Sequence, residues 1–418
     1  MKSRLRRILT GIFVSCLALL ALELVLRGLA ALSPGINLIV TPPGQQIPRT
    51  VPDARLGYRP YPGYPGHDQF GFRNRTVPAQ ARVVALGDSQ TYGTSVSLDE
   101  AWPKQLELLA GSPVYNMAFG GYGPVHSLML WDDVKLLRPA TVIEAFYPGN
   151  DLHDAFVAVY DRGAWDDLES PDRKVVRTIR SLEAVEPLAR SVSRLFRKGW
   201  GDIVSDAPEP SPRHFLAEHS RLCHLLVRAW DELVRGAAPR GDLSRRSCAK
   251  PDVEVAWKDG QDLARAHPEY YEAFSNAQAR TVFTPRFRLA ALDLREPRIR
   301  EGLRISLEAM RRMHGRAAWE GIRFVVLLIP TKELVFRDVV ERPSAEYRAV
   351  VANEEAVRKQ TMDYLRKHRI EYVDALPALR RELASGKQPY PVSRDGHPNA
   401  WGHAVLAAAV HAQLAGSP

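Results

Sequence analysis

Cysteine is scarce in this sequence, with three among 418 residues. So few thiols cannot staple a chain of this length, and a hydrophobic core must carry its stability. There is no His-Glu-x-x-His and no Cys-x-x-Cys pair, so no metal motif is present and no cofactor is called for. A Gly-x-x-x-x-Gly-Lys loop, the phosphate cradle of nucleotide-binding proteins, is missing as well. Internal repeats and long low-complexity tracts are absent, which excludes a solenoid. Long apolar runs are limited to one, and a polytopic membrane protein is excluded with them. What remains is ordinary for a folded domain: 45% hydrophobic and 25% charged residues, 31 Pro and 28 Gly. The net charge of +9 is too diffuse to imply a nucleic-acid partner, because Lys2, Arg4, Arg6 and Arg7 supply four charges within seven residues.

Those four cations form a short basic N-terminus (1–7) ahead of the apolar run at 8–32. Its 25 residues correspond to about 37 Å of helix, enough to cross a bilayer. Glu23 and Arg27 interrupt it four residues apart, on one helical face, where they can pair. The positive-inside rule assigns the N-terminus to the cytoplasm and the bulk of the chain to the extracytoplasmic side. A cleaved signal peptide is the alternative, but Leu29-Ala30-Ala31 is a poor small-x-small site. The run therefore reads as a retained anchor.

Residues 33–81 are rich in Pro and Gly, with Tyr58, Tyr61 and Tyr64 interleaved, and read as an extended, partly ordered arm. From residue 82, short apolar runs alternate with helical patterns. Strands are predicted at 83–86, 114–117, 142–147, 324–329 and 370–373. Helices are predicted at 101–109, 124–137, 353–367 and 400–414. Such alternation implies a parallel sheet covered on both faces, with reacting groups at the carboxyl ends of its strands. The pattern breaks between 155 and 299, where charged helical stretches (182–196 and 215–234) alternate with Pro/Gly-rich connections. The segment reads as a large, mostly helical insertion that splits one domain into 82–154 and 300–418. Cys223 and Cys248 both fall in it and could form a disulfide outside the cytoplasm.

Three motifs sit directly after predicted strands. Ser89, in Gly87-Asp88-Ser89, occupies a strand-to-helix turn that exposes its hydroxyl and points its N–H toward an incoming anion. A nucleophilic serine needs a base, and His397, opening the last helix, can return over the same sheet edge. Asp395 can orient that imidazole. Gly121 offers an unobstructed backbone N–H and Asn150 an amide N–H₂, so with the Ser89 N–H they can hold a developing oxyanion.

These blocks, GDSQTYG (87–93), NMAFGGYG (116–123), PGNDLHD (148–154) and DGHPNAWGH (395–403), resemble the SGNH (GDSL-type) hydrolase superfamily. The resemblance covers about 82–154 and 300–414. It implies a flavodoxin-like three-layer fold, with Ser89, Gly121, Asn150 and His397 as the serine, glycine, asparagine and histidine of the four blocks. Two features depart from the family pattern. Its usual Asp-x-x-His would put Arg394 at the acid position, whereas Asp395 stands two residues before His397, a spacing shared with acetylation-related branches. Block three reads Gly-Asn-Asp rather than Gly-x-Asn-Asp. Both Ser–His–Asp and Ser–His arrangements are open on this pattern. With the anchor, the resemblance implies a membrane-bound, periplasmic or otherwise extracytoplasmic esterase or acyltransferase acting on O-acyl, above all O-acetyl, groups of an envelope or exported glycan. A catalytically silent glycan-binding component and a lipase or thioesterase are the alternatives. Outside the blocks, Asp88 is expected to hold the turn and His403 to be surface or packing. His153 and Asp154 read as a solvated loop in preference to substrate contacts, and Lys332 and Glu333 as substrate contacts or surface charges at a helix start.

Overall fold

The computed structural model describes residues 2–42, 47–200, 220–226, 229 and 253–416. Nine strands occur among them: β1 (Thr50–Asp53), β2 (Gly57–Pro60), β3 (Val83–Leu86), β4 (Val114–Asn116), β5 (Thr141–Phe146), β6 (Glu272–Ser275), β7 (Arg280–Phe283), β8 (Arg323–Leu328) and β9 (Glu371–Asp374). Five of these form one parallel sheet in the order β4-β3-β5-β8-β9. The two pairs β1–β2 and β6–β7 are antiparallel hairpins. In sheet terms the order is 2-1-3-4-5, the flavodoxin-like winding, whose switch point lies between its first and third strands, here β3 and β5.

Alternation along the strands builds the layers. Val84, Leu86, Val142 and Val326 point to one face, against helices Pro124–Met129 and Pro297–Trp319 with Leu128, Leu303 and Met310. Val83, Ala85, Ile143 and Val325 point to the other, against helices Trp102–Ala110 and Ala400–Ala415 with Leu106, Leu406 and Val410. With both faces covered, β5 is buried along its whole length, as expected of an all-parallel sheet.

The segment 155–299 contains helices Arg173–Val185, Leu188–Trp200, Val253–Ala266 and Pro285–Leu292, and also the β6–β7 hairpin. The helix predicted at 182–196 is two helices, because Pro187 has no N–H to donate and restricts the residue before it. Most of the helix predicted at 215–234, and the pairing of Cys223 with Cys248, lie outside the described residues.

Lys2–Leu32 is one helix, and its Leu9–Leu32 stretch, mean hydropathy 2.4, is long and apolar enough to cross a membrane. Glu23 and Arg27 pair at 2.8 Å on it. The arm is more than a spacer. Arg49 lies over the rings of Tyr92 and Phe119, β1–β2 packs beside Tyr122, and Asn74 bonds the backbone N–H and C=O of Asn116 at 3.0 Å each.

Candidate active site

β3 ends at Leu86, and Gly87 turns the chain with φ +137°. A Cβ there would stand 2.8 Å from Thr91 Oγ1 and 3.0 Å from Ala145 O, so only glycine fits the turn. Asp88 then caps the four-residue helix Ser89–Tyr92 by accepting from Gln90 N–H at 2.9 Å. At the other end the Arg73 guanidinium donates to the carbonyls of Tyr92, Gly93 and Val96. A cation at the carboxyl end and an acid at the amino end both favour the helix dipole. Ser89 thus heads a helix too short to stand alone but clamped at both ends.

Ser89 and His397, 308 positions apart in sequence, meet with Oγ and Nε2 2.8 Å apart. On the other side of the ring, Nδ1 lies 2.6 Å from Asp395 Oδ1. Asp395 also accepts from the His397 backbone N–H at 3.0 Å and, through Oδ2, from Ser95 Oγ. Burial alone would raise the pKa of Asp395. The charge of His397 and these hydrogen bonds outweigh it and hold the carboxyl far below the usual carboxylate range. An ionised Asp395 can only accept, so Nδ1 carries the proton and Nε2 is left to accept from the Ser89 hydroxyl.

The remaining two blocks flank this line. Gly121 adopts φ +76°, and a Cβ on it would meet Tyr58 Oη at 2.5 Å. Tyr58 Oη donates to Gly120 O at 2.8 Å, so the arm fastens this turn. The glycine whose Cβ position faces Ser89, 3.8 Å from its Cβ, is Gly120. Asn150 heads helix Asp151–Phe156 after β5, across the switch point from Ser89, and neighbours Asp88. Its Nδ2 donates to Asp154 Oδ2 at 2.8 Å, so a carboxylate occupies the amide here. Asp154 in turn contacts His153 Nδ1 at 2.9 Å, and the two are half-buried on helix Asp151–Phe156 rather than in a solvated loop.

His403 takes the packing alternative: it is fully buried and accepts the Trp102 N–H on Nδ1 at 3.2 Å, and burial pulls its pKa down to about 3. Lys332 and Glu333 are neither surface charges nor groups open to substrate, since each is only 1% exposed. Sequence reading also missed Ser95 and Arg288. Arg288 donates to Gly149 O at 3.3 Å, and its Nη2 would be 2.4 Å from a Cβ on Gly396, so it wedges between the Asn150 and His397 loops. Their signal is one of placement, because only the fold brings 95, 288 and 396 together. Among the described residues, no group of three or more His, Cys, Asp or Glu is placed to hold a metal ion.

Residues 289–418 match a family described as ALGX: SGNH hydrolase-like domain, acetyltransferase AlgX. Over those residues the chain is similar to an SGNH hydrolase-like domain. No curated protein sequence matches it. Similar solved structures include a putative lipolytic protein of the G-D-S-L family from Desulfitobacterium hafniense DCB-2, 12% identical with a TM-score of 0.32. That likeness covers 79% of this chain and 97% of the other. A GDSL-like lipase from Bacteroides thetaiotaomicron VPI-5482 is 10% identical, with a TM-score of 0.28 and coverage of 80% and 87%. The matched stretch of the SGNH hydrolase-like domain holds Asp395 and His397, whereas Ser89, Gly121 and Asn150 precede it and reach it through the sheet.

Proposed function

We propose that the protein is an extracytoplasmic, membrane-anchored serine esterase or acyltransferase acting on O-acyl groups, above all O-acetyl groups, of an envelope or exported glycan. The observation that carries this reading is the hydrogen-bonded line Ser89 Oγ–His397–Asp395 at 2.8 and 2.6 Å. In the proposed reaction Nε2 takes the Ser89 proton as Oγ attacks the ester carbonyl. The charge on the tetrahedral oxygen is met by the N–H groups of Ser89 and Gly121 and by the Asn150 amide, which has a second N–H besides the one given to Asp154. His397 then gives its proton to the departing alcohol, and water or a sugar hydroxyl releases the acyl group from Ser89. Hydrolysis and transfer differ only in that acceptor.

The family description, an acetyltransferase on an SGNH hydrolase-like domain, supports the acyl chemistry. A cavity of about 580 Å³ that none of Ser89, Gly121, Asn150, Asp395 and His397 lines is offered as a remote subsite for the glycan: its lining includes His126, which stacks on Tyr122, and Arg162, which lies over Tyr58. Trp165 and Arg316 face each other in it with 5.6 Å between guanidinium and ring. The test is Ser89→Ala assayed on p-nitrophenyl acetate and on an O-acetylated glycan. Complete loss of turnover is expected, and turnover equal to the unmodified chain would refute the mechanism. A fluorophosphonate adduct on Ser89 of the folded protein separates this reading from a silent binding component.

A further inference from the structure

We propose that Lys332 is a positioning residue whose buried ammonium holds the backbone of the Asp395–His397 loop so that His397 reaches Ser89. The proposal rests on the esterase reading above. Residues 391–399 lie outside helix and strand, so the two side chains that act on Ser89 have no regular ladder to fix them. Lys332 supplies the missing bonds. Its Nζ donates to Ser393 O at 2.9 Å, to Asp395 O at 3.0 Å and to Val282 O at 2.6 Å. An ammonium has three N–H groups, and all three are used. Two grip the loop just before Gly396-His397, and the third ties it to β7. The same strand reinforces the tie through Thr281 Oγ1, which donates to Pro391 O at 2.8 Å.

The charged groups around Lys332 have other engagements. Glu333, on its own helix, accepts from Thr284 N–H at 3.0 Å. Asp395 Oδ1 and Oδ2 are taken by His397 and Ser95. Arg288 bonds Gly149 O, and the nearest ring, Phe283, is apolar. Among the described residues no ion pair with a carboxylate involves Lys332. Burying an ammonium costs several kcal/mol, so charge-assisted bonds to three carbonyls must offset it. A methionine would fill similar space without that cost. What lysine adds is the grip on the loop. Burial lowers its pKa to about 8, with Glu333 and Asp395 opposing and Arg288 adding to the fall.

The experiment measures fluorophosphonate labelling of Ser89, and kcat and KM for an acetyl ester, in Lys332→Met, Asp395→Asn and the double variant. Lys332→Met is expected to lower labelling and kcat at least about 10-fold, with KM within about 3-fold, as for a misplaced catalytic group. Because Lys332 acts through Asp395 and His397, adding it to Asp395→Asn should cost less than about 3-fold more. Labelling at the unmodified rate overturns the proposal, and so does a loss that multiplies fully in the double variant. If Lys332→Met does not fold, Lys332→Gln keeps two donors and is held to the same outcomes. The unmodified chain gives a further arm: labelling should fall at least about 3-fold between pH 7 and 9.5, as an amine leaves one of three carbonyls without a donor. A flat profile there overturns the proposal. Absence of any adduct on the unmodified chain instead refutes the esterase reading beneath it.

Discussion

At the scale of single residues, the site depends on an acid kept ionised while buried. Asp395 has that from His397, Ser95 and a backbone N–H. Its folded pKa is depressed, so its contribution to stability is present above the ordinary value near 4 and is lost as pH falls through the lower, folded one. Asp395→Asn is expected to lower kcat on an acetyl ester by about 10²–10⁴-fold, because an amide can hold the wrong tautomer of His397. Ser95→Ala keeps the carboxylate and should cost no more than about 10-fold in the same assay. Ser89 and His397 were legible because Gly-Asp-Ser and Asp-Gly-His each stand beside a strand or helix boundary. Lys332 was not. A lysine after a strand-ending Pro-Thr carries no mark of burial, and its three carbonyl partners come from residues 50 to 63 positions away.

Among the elements, β5 carries an anomaly that its apolar pattern conceals. Glu144 is fully buried in mid-strand, and burial pushes its pKa up to about 8, with Ser127 opposing and Asp88 adding. An acid raised in the fold binds more protons folded than unfolded, so stability falls as pH rises from about 4.5 to 8. Glu144→Gln should therefore raise Tm at pH 7.5 by at least about 3 °C. The difference should vanish near pH 4.5, and thermal unfolding at the two pH values checks both. The hairpin β1–β2 bears on the site through one hydroxyl. Tyr58→Phe removes the bond to Gly120 O and should cost about 1 kcal/mol in stability and a several-fold drop in kcat. Unchanged kcat would mean the turn at Gly120-Gly121 holds itself. The five sheet strands were legible as short apolar runs bounded by turns. β6 was not, because its residues alternate between half-buried and exposed and Glu272 opens it, so no apolar run marks it.

Across the whole molecule, the two halves of the candidate site are written at opposite ends of the sequence and joined by pairing of β5 with β8. The family match, 289–418, takes in β8 and β9 but not the serine, which lies two hundred positions earlier. The sheet and its strand ends were legible because their signals are local. The grip of β7 on the Asp395 loop was not, since it joins a segment read as a separate insertion to the last turn of the domain. The cavity beside Tyr122 gives a prediction at this scale. Trp165→Ala should raise KM for an O-acetylated glycan several-fold while leaving p-nitrophenyl acetate kinetics within about 2-fold, as loss of a stacking surface remote from the bond broken. Equal effects on both substrates would remove the cavity from substrate binding.

Arg49 rests on Tyr92, one turn from Ser89 on the same short helix. The domain's hold on its own leash therefore begins there, and only residues 41–48 are left between Arg49 and the helix that ends at Val40. Fully stretched, that length reaches no more than roughly 30 Å. On the proposed reading, with Leu9–Leu32 seated in a bilayer, that reach holds the serine near the lipid surface, and a glycan meets it only close to the membrane.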